Sequence, residues 1–357
     1  MIRVGVNLSL RSSHICPCQF THDSFLQWLS YLLLLFQPQD MNVLSKGVNA
    51  ANFASEPAKK RDSLKNIADT TLEAIKAGHI NNYLDLAAKV RFSNHNTRYY
   101  PPDDLSLSRW ALDVPMLPPT KTEISILEIS TLDGARLLYD TLSNSTSFGR
   151  IAVLNFASAT RPGGGFLGGA QAQEESIARS STLFPSLMTD TSQQFYKLHL
   201  RDRQGGFYHH AMIYTPSVVI FRNDSGEWVT PFEVDILTSA AVNAGDVRNK
   251  NGGHADHAKV ESMIELSMKE RMGRILSLME QQGAKNLVLG CFGTGVFRNS
   301  VGMVARIWAE LLTGKGARYR SSFDRVVFAI LGTSTFTTFK QTFENPTNTI
   351  GMGMQRG

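Results

Sequence analysis

Cysteine is scarce in this chain, whose 357 residues include only Cys16, Cys18 and Cys291. Three cysteines cannot build a disulfide framework, which indicates an intracellular protein of a reducing compartment, cytoplasmic or nuclear. Cys16 and Cys18 lie close to His14 and His22, but this spacing is not the Cys-x2-Cys of zinc sites and no second pair follows. We therefore expect neither disulfide bonds nor a metal at these positions.

Several motifs of other protein classes are also missing. The most apolar run, residues 25–36, is shorter than the ~20 residues that span a bilayer, and it is poorly placed for a signal peptide. The chain has no long basic run interleaved with aromatic residues, which argues against a nucleic-acid groove. The Walker motif of ATPases is absent, and residues 293–298 do not complete Gly-x-Gly-x-x-Gly because Arg298 occupies the last place. We expect no membrane segment and no ATPase activity.

The composition is that of a folded protein with a slight excess of positive charge. Apolar residues make up 42% of the chain and charged residues 19%, which is enough for one large core or two modest ones. The formal net charge is +5, and such an excess mildly favours anionic ligands. The same surplus occurs on many soluble proteins, so it does not identify a ligand.

Segments of strand and helix type alternate along the chain and predict the α/β class with a parallel or mixed sheet covered on both faces. Residues 99–104 and 115–119 have loop-like composition. Leu137, Leu138, Leu142 and Leu266 are predicted to face the core. The predicted strands are residues 124–129, 151–156, 211–221, 234–239, 286–291 and 325–331, and the predicted helices are residues 58–77, 81–90, 133–142, 176–187, 259–282 and 301–312.

The most informative stretch is residues 161–175, which read Arg-Pro-Gly-Gly-Gly-Phe-Leu-Gly-Gly-Ala-Gln-Ala-Gln-Glu-Glu. It follows a predicted strand and precedes a predicted helix. Gly163, Gly164 and Gly165 allow positive φ and close approach of a ligand, and their N–H groups are predicted to form a nest for an anion. Glu174 and Glu175 follow at the helix start. A phosphorylated ligand beside an acid suggests chemistry at a bond next to the phosphates.

A second glycine loop, residues 290–299, follows the fifth predicted strand. Ligands of α/β sheets bind outside the carboxyl ends of the strands. We therefore expect the two loops to lie at the same edge of the sheet, one holding a ribose and the other a diphosphate.

These residues resemble a known family. The three glycines of residues 163–165, seven further residues and then Gln-Glu-Glu at 173–175 match the signature of macrodomain-type poly(ADP-ribose) glycohydrolases. The longer runs at residues 154–175, 212–217 and 289–299 look like its microbial branch, both bacterial and fungal. The resemblance covers about residues 58–343 and implies a three-layer α/β/α macrodomain with a mixed central sheet and an N-terminal helical extension.

The resemblance also divides the chain and implies its chemistry. Residues 1–55 are predicted to be a poorly specified extension, residues 56–345 the catalytic macrodomain with a helical accessory region at 58–120, and residues 346–357 a tail. The implied reaction is hydrolysis of the ribose–ribose O-glycosidic bond at polymer ends, releasing ADP-ribose without a cofactor or metal. The implied setting is reversal of ADP-ribosylation in the DNA damage response, by a monomer acting on poly(ADP-ribosyl)ated proteins.

The resemblance assigns Glu175 as the catalytic acid. Glu174 and Gln173 are expected to bind and orient the scissile ribose, and Phe297 to pack on a ribose. Asn155 and Ser158 are also expected within reach of the ribose. The substrate-binding residues predicted in this way are Asn155, Gly163, Gly164, Gly165, Gln173, Gly293, Thr294, Gly295, Val296 and Phe297.

The residues themselves favour a single acid and base. Adjacent carboxylates cannot flank one sugar from both faces, as the two-carboxylate mechanism requires. Glu175 would protonate the leaving ribose oxygen and then accept a proton from the attacking water. A helix start lowers a glutamate pKa, worth ~0.3–1 kcal/mol, whereas burial and like charge raise it by more. We expect ligand phosphates and Glu174 to keep Glu175 protonated in the complex.

Other interpretations remain open at this stage. A non-catalytic ADP-ribose reader would use the same loops, and a hydrolase acting on ADP-ribosylated protein or nucleic acid would use the same acid. Gln-Glu-Glu alone would be a solvated helix start, and Phe297 is alternatively a core residue. The polar residues 252–257 hint weakly at a metal, and Cys291 lacks the His/Asp pattern of a nucleophile.

Overall fold

The structure is a computed structural model, and it describes residues 56–80, 85–112, 121–143, 149–251 and 256–346. The N-terminal extension predicted over residues 1–55, with Cys16 and Cys18, lies outside these residues. So do residues 115–119, residues 252–255 of the polar loop, and the tail beyond residue 346. The divisions predicted at residues 55 and 345 stay predictions.

Helices precede the sheet. Helix α1 spans Glu56–Ala77 and ends where Gly78 takes a left-handed conformation with φ of 78°, as glycine does at helix ends. Helix α2 spans Leu86–Asn96. The short helix α3, Leu105–Ser108, begins where the Asp104 carboxylate accepts hydrogen bonds from two backbone N–H groups.

Seven strands form one mixed sheet in the described part of the chain, in the order β1-β4-β5-β3-β6-β7-β2. Strands β5, β3, β6, β7 and β2 run parallel to one another, whereas β4 pairs antiparallel with β5, and β1 pairs antiparallel with β4. The strands are β1 Arg98–Tyr100, β2 Glu123–Leu127, β3 Arg150–Phe156, β4 Met212–Arg222, β5 Trp228–Ser239, β6 Ala284–Leu289 and β7 Arg325–Ala329.

Helices cover both faces of this sheet. They are α4 Thr131–Ser143, α5 Gln173–Ser180, α6 Leu183–Leu187, α7 Asp190–Arg201, α8 Ala244–Asn251, α9 His257–Gln281, α10 Val301–Leu312 and α11 Thr333–Glu344. Among the described residues, no helix is both long enough and apolar enough to cross a bilayer.

The strand side chains alternate between two cores, because successive residues of a strand point to opposite faces. In β3, Ala152 and Leu154 pack in the core beneath α9 and α10. Ile151 and Val153 pack in the other core, with α4, α5 and α7. The three-layer α/β/α arrangement with a mixed sheet and preceding helices is therefore confirmed.

Four local predictions were wrong. Leu137 and Leu266 are 44% and 65% exposed, because each lies two positions from a buried residue and so points to another side of its helix. Tyr99 and Tyr100, the first two residues of the predicted loop 99–104, belong to β1, since an aromatic pair suits an edge strand. The helix predicted over residues 176–187 is two helices interrupted at Ser181 and Thr182.

Candidate active site

The triple-glycine loop folds around the two glutamates that follow it. Gly163 and Gly164 have φ of 67° and 62°, a region that favours glycine. A Cβ at Gly164 would lie 2.3 Å from Oε1 of Glu175 and 3.1 Å from Oε2 of Glu174. Both carboxyl groups therefore pack on the bare backbone of Gly164, and no larger residue fits there without displacing them.

The N–H groups of this loop are already hydrogen-bonded within the chain. Gly165 donates to Oε1 of Glu175 at 2.9 Å, and Gly164 donates to the carbonyl of Arg161 at 3.0 Å. The Gly165 N–H is thus bound by a carboxyl group of the chain itself. Both N–H groups therefore have partners within the chain, and the predicted contacts of Gly163, Gly164 and Gly165 with a ligand stay predictions.

Glu174 is buried, with 3% of its surface exposed. Its Oε2 accepts a hydrogen bond from the Ser158 N–H at 2.7 Å. Burial is the main cause that raises the pKa of Glu174 to about 8, and the nearby Glu175 adds to it, although the hydrogen bonds from Ser158 and Asn155 act in the opposite direction. At neutral pH the Glu174 carboxyl therefore carries a proton in most molecules.

Gln173 and Asn155 connect the two glutamates to strand β3. The Gln173 amide oxygen accepts from the Phe156 N–H at 2.8 Å, and its Nε2 donates to the Leu154 carbonyl at 2.8 Å. Asn155 is fully buried, and its Nδ2 lies 3.4 Å from Oε1 of Glu174 and 3.2 Å from the Thr238 hydroxyl. Both ends of the Gln173 amide are thus engaged, whereas Oδ1 of Asn155 has no partner among the described residues. The predicted ribose contacts of Gln173 and Asn155 stay predictions.

The second glycine loop begins with a close backbone approach. Gly293 has φ of 75°, and a Cβ there would lie 2.3 Å from Cβ of Ala241. The Asn299 amide donates to the carbonyls of Gly293 and Val242 at 2.9 and 2.7 Å. These contacts fix the loop between the ends of β5 and β6.

This second loop keeps its central N–H groups open. Thr294 and Arg298 donate within the loop to Cys291 and Gly295. In the part of the chain that the structure describes, the N–H groups of Gly295, Val296 and Phe297 make no hydrogen bond, and Val296 is 84% exposed. Three successive open N–H groups can bind an anion. Both loops are glycine-rich, but this one has the donors free.

Phe297 lies at the border between the two cores and is half-buried. Its ring centroid is 5.9 Å from that of Tyr208, a residue that sequence reasoning missed. Tyr208 has a left-handed φ of 55°, and the fully buried Arg271 binds its carbonyl at 3.1 Å. Thr238 beneath Asn155 was missed as well. No sequence signal marks Tyr208 or Thr238, since their contacts come from other parts of the chain.

The two loops lie at one edge of the sheet. Strands β3 and β6 are parallel neighbours, with Val153 opposite Val288, and each loop follows the carboxyl end of one strand. The rings of Phe156 and Phe292, at the starts of the two loops, have centroids 5.7 Å apart. The shared edge predicted from the sequence is therefore confirmed.

Two other features lie outside this arrangement. A groove of about 750 Å³ beside β2 is lined by residues 121–127 and by the ends of α10 and α11, and it contains none of the predicted site residues. Burial raises the pKa of the Cys291 thiol to about 12, which opposes thiolate chemistry at neutral pH. Among the described residues, no group of three potential metal ligands occurs.

Comparison with known proteins finds similar chains in one family. Residues 68–223 match the family model "Microbial-type PARG, catalytic domain". The poly(ADP-ribose) glycohydrolase (PARG) of Thermomonospora curvata is 33% identical, with 79% of this chain and 100% of that chain covered and a TM-score of 0.69; it was also solved with the inhibitor ADP-HPD, at a TM-score of 0.67. The Deinococcus radiodurans PARG in complex with ADP-ribose is 31% identical, covering 71% and 97% of the two chains, with a TM-score of 0.61. No curated protein sequence matches significantly.

Proposed function

Because this chain belongs to the microbial-type poly(ADP-ribose) glycohydrolases, we propose that it hydrolyses the ribose–ribose O-glycosidic bond at the ends of poly(ADP-ribose) and releases ADP-ribose. One observation carries the proposal: the Glu175 carboxyl is held by the Gly165 N–H at the sheet edge where the open N–H groups of the second loop lie. A carboxylic acid next to an anion-binding loop suits a substrate whose glycosidic bond lies close to a diphosphate.

The second loop is the proposed diphosphate site. The N–H groups of Gly295, Val296 and Phe297 have no partner within the described residues, and hydrogen bonds from backbone N–H groups to charged oxygens are strong. Thr294 contributes to the same turn. Phe297 is partly exposed, so its ring can pack on a ribose. The Glu175-bound triple-glycine loop then faces the reacting sugar rather than the phosphates.

Glu175 is the proposed acid and base. Its Oε1 is held by Gly165, and its Oε2 makes no hydrogen bond within the described part of the chain. This free oxygen would give its proton to the departing ribose oxygen as the glycosidic bond breaks toward an oxocarbenium-like state. Water then adds to the anomeric carbon and returns a proton to Glu175, so the enzyme ends unchanged. The substrate diphosphate would stabilise the cationic sugar.

Glu174 is the proposed orienting carboxyl. Its raised pKa keeps it largely neutral at pH 7, and two neighbouring carboxyls in unlike environments suit unlike roles. Both pack on Gly164, so they cannot act from opposite faces of one sugar. A protonated Glu174 can donate to a ribose hydroxyl without adding a second negative charge beside Glu175.

The direct test is incubation of purified poly(ADP-ribose) with the full chain and chromatography of the products. We expect free ADP-ribose to accumulate. Binding without release would instead identify a non-catalytic reader of polymer ends. Release only from protein or nucleic acid carrying single ADP-ribose units would identify an ADP-ribosyl hydrolase.

We further propose that poly(ADP-ribosyl)ated proteins present the polymer, that the chain acts as a 39.5 kDa monomer, and that it works in the cytoplasm or nucleus during ADP-ribosylation reversal. Light scattering measures the mass in solution, and fractionation measures the compartment. A stable dimer in light scattering would contradict the proposed monomeric state. Secretion of the protein would contradict the proposed location in the cytoplasm or nucleus.

A further inference from the structure

Helix α1 touches the triple-glycine loop at its second pair of glycines. The Nε of Arg61 donates a hydrogen bond to the carbonyl of Gly168 at 2.7 Å. The next residue, Gly169, has φ of 73°, and a Cβ there would lie 2.2 Å from the carbonyl oxygen of Arg61. The loop therefore lies directly on the backbone of α1, at a distance that only glycine allows.

A second contact joins α1 to the end of α5. The buried Thr71 hydroxyl donates to the carbonyl of Arg179 at 2.6 Å. The Arg179 guanidinium in turn donates to the carbonyl of Ala170 at 2.5 Å. Helix α1 thus holds the loop directly through Arg61 and indirectly through Thr71.

Residues 168–170, which contact α1, are hydrogen-bonded to Gly165, and Gly165 in turn is hydrogen-bonded to Glu175. The N–H groups of Gly168 and Ala170 donate to the carbonyl of Gly165 at 3.0 and 3.1 Å. The Gly165 N–H donates to Oε1 of Glu175. A displacement of residues 168–170 therefore moves Gly165 and, with it, the donor that fixes the Glu175 carboxyl.

We infer that Arg61 is a positioning residue for catalysis, a role that rests on the proposed function and extends it to α1. Arg61 itself touches neither glutamate. It fixes the Gly168 carbonyl, and through Gly165 it fixes the Glu175 carboxyl against the sugar. Arg61 is exposed and belongs to none of the hydrophobic clusters, so the hydrophobic core does not depend on its side chain.

The first experiment compares Arg61→Ala with Lys65→Ala, which removes an exposed positive charge from the same helix. We expect Arg61→Ala to lower kcat by ~10- to 100-fold, because small misplacements of catalytic groups cost up to that much. Its Kd for ADP-ribose should stay within about threefold of the parent value, since the free N–H groups lie on the other loop. Arg61→Lys should recover part of the rate, and Lys65→Ala should match the parent.

The second experiment disturbs the same contact from the loop side. Gly169→Ala is compared with Gly283→Ala, because both glycines have similar left-handed φ of 73° and 76° but a Cβ at Gly283 would have no atom within 4 Å. Both variants place alanine at a left-handed φ and so carry similar backbone strain. Only in Gly169→Ala does the added Cβ collide with the Arg61 backbone. We expect the kcat loss in Gly169→Ala alone.

Amide hydrogen exchange makes the test independent of activity. Exchange in residues 163–175 should be faster in Arg61→Ala than in Lys65→Ala, with equal melting temperatures. Unchanged exchange and kcat in Arg61→Ala would overturn the inference, as would a rate loss explained by lower stability or weaker ADP-ribose binding. If the parent itself releases no ADP-ribose, the proposed function fails, and exchange still decides whether Arg61 holds the loop.

Discussion

At the residue scale, the site depends on two neighbouring carboxyls in different surroundings. Glu174 is buried against Asn155 and the Ser158 N–H, whereas Glu175 is half-buried and keeps one oxygen free among the described residues. Adjacent glutamates on a helix start would have similar environments if the helix were exposed. The two differ because Glu174 is buried and bonded to the Ser158 N–H, whereas Glu175 is partly exposed and bonded to the Gly165 N–H.

The raised pKa of Glu174 makes stability depend on pH. The unfolded chain ionises this carboxyl near pH 4.5, but the folded chain does so only near pH 8. Between these values the folded state holds the extra proton, so the free energy of unfolding falls as pH rises, by up to ~1.4 kcal/mol per pH unit. Denaturant unfolding from pH 4 to 9 should show this loss in the parent and not in Glu174→Gln.

Asp69→Asn is the matched control for that measurement, because it removes an exposed carboxyl from α1. Its stability profile should parallel the parent profile at every pH. If Glu174→Gln also paralleled the parent, the carboxyl would not hold its proton in the folded state, and the neutral orienting role of Glu174 would be wrong.

At the element scale, the two glycine loops have the same sequence character and opposite uses. In the first loop, N–H groups donate hydrogen bonds to Arg161 and Glu175. In the second loop, three N–H groups make no hydrogen bond within the described structure. The sequence could predict two loops at one edge, because ligands of α/β sheets bind outside the carboxyl ends of the strands. The sequence could not predict which loop has its N–H groups bonded within the chain, since that depends on where the Glu175 side chain packs.

The geometry of the second loop predicts an effect of Gly293→Ala on affinity. A Cβ there meets both Ala241 and Asn299, so the loop must move and its open N–H groups diverge. We expect the Kd for ADP-ribose, measured by titration calorimetry, to rise at least ~10-fold, equivalent to ~1.4 kcal/mol.

Gly314→Ala is the control for the Gly293 variant, since Gly314 has a similar φ of 78° with no atom within 4 Å of a built Cβ. It should bind ADP-ribose like the parent. Equal affinity for Gly293→Ala and Gly314→Ala would show that the second loop does not hold the diphosphate.

Sequence reasoning missed helices α7 and α11, whose buried faces combine polar and apolar residues. Helix α7 buries Ser192 and His199 beside Phe195 and Tyr196, so its apolar periodicity is weak. Helix α11 is rich in threonine, which has low helix propensity, and it buries Phe339 and Phe343 late in its length. In contrast, α10 has apolar residues on most of its turns, and its predicted bounds of 301–312 are confirmed.

At the scale of the whole molecule, the sheet order brings distant segments to one edge. Strand β3 ends at residue 156 and β6 at residue 289, yet they are direct neighbours. The fold class followed from alternating strands and helices together with the family resemblance. The contact of α1 with the glycine loop did not, because the spacing of Arg61 from Gly168 across 107 residues carries no periodic signal.

Ligand binding should stabilise the whole fold. A ligand that binds only the folded state at 100 times its Kd adds ~2.7 kcal/mol to the free energy of unfolding. We therefore expect ADP-ribose to raise the Tm by several degrees in a thermal unfolding scan. Ribose at the same concentration lacks the diphosphate and should leave Tm unchanged. A shift with ribose alone would contradict a diphosphate-centred site.

The most direct test of the account is the hydrolysis rate of Glu175→Gln on purified poly(ADP-ribose), measured together with its Kd for ADP-ribose. Glutamine keeps the size of the side chain and an oxygen for the Gly165 N–H, but it cannot donate and recover a proton. We predict a rate at least ~10²–10⁴-fold below the parent, with a Kd within about threefold of it. A Glu175→Gln rate equal to that of the parent would contradict the central claim that this carboxyl is the acid and base.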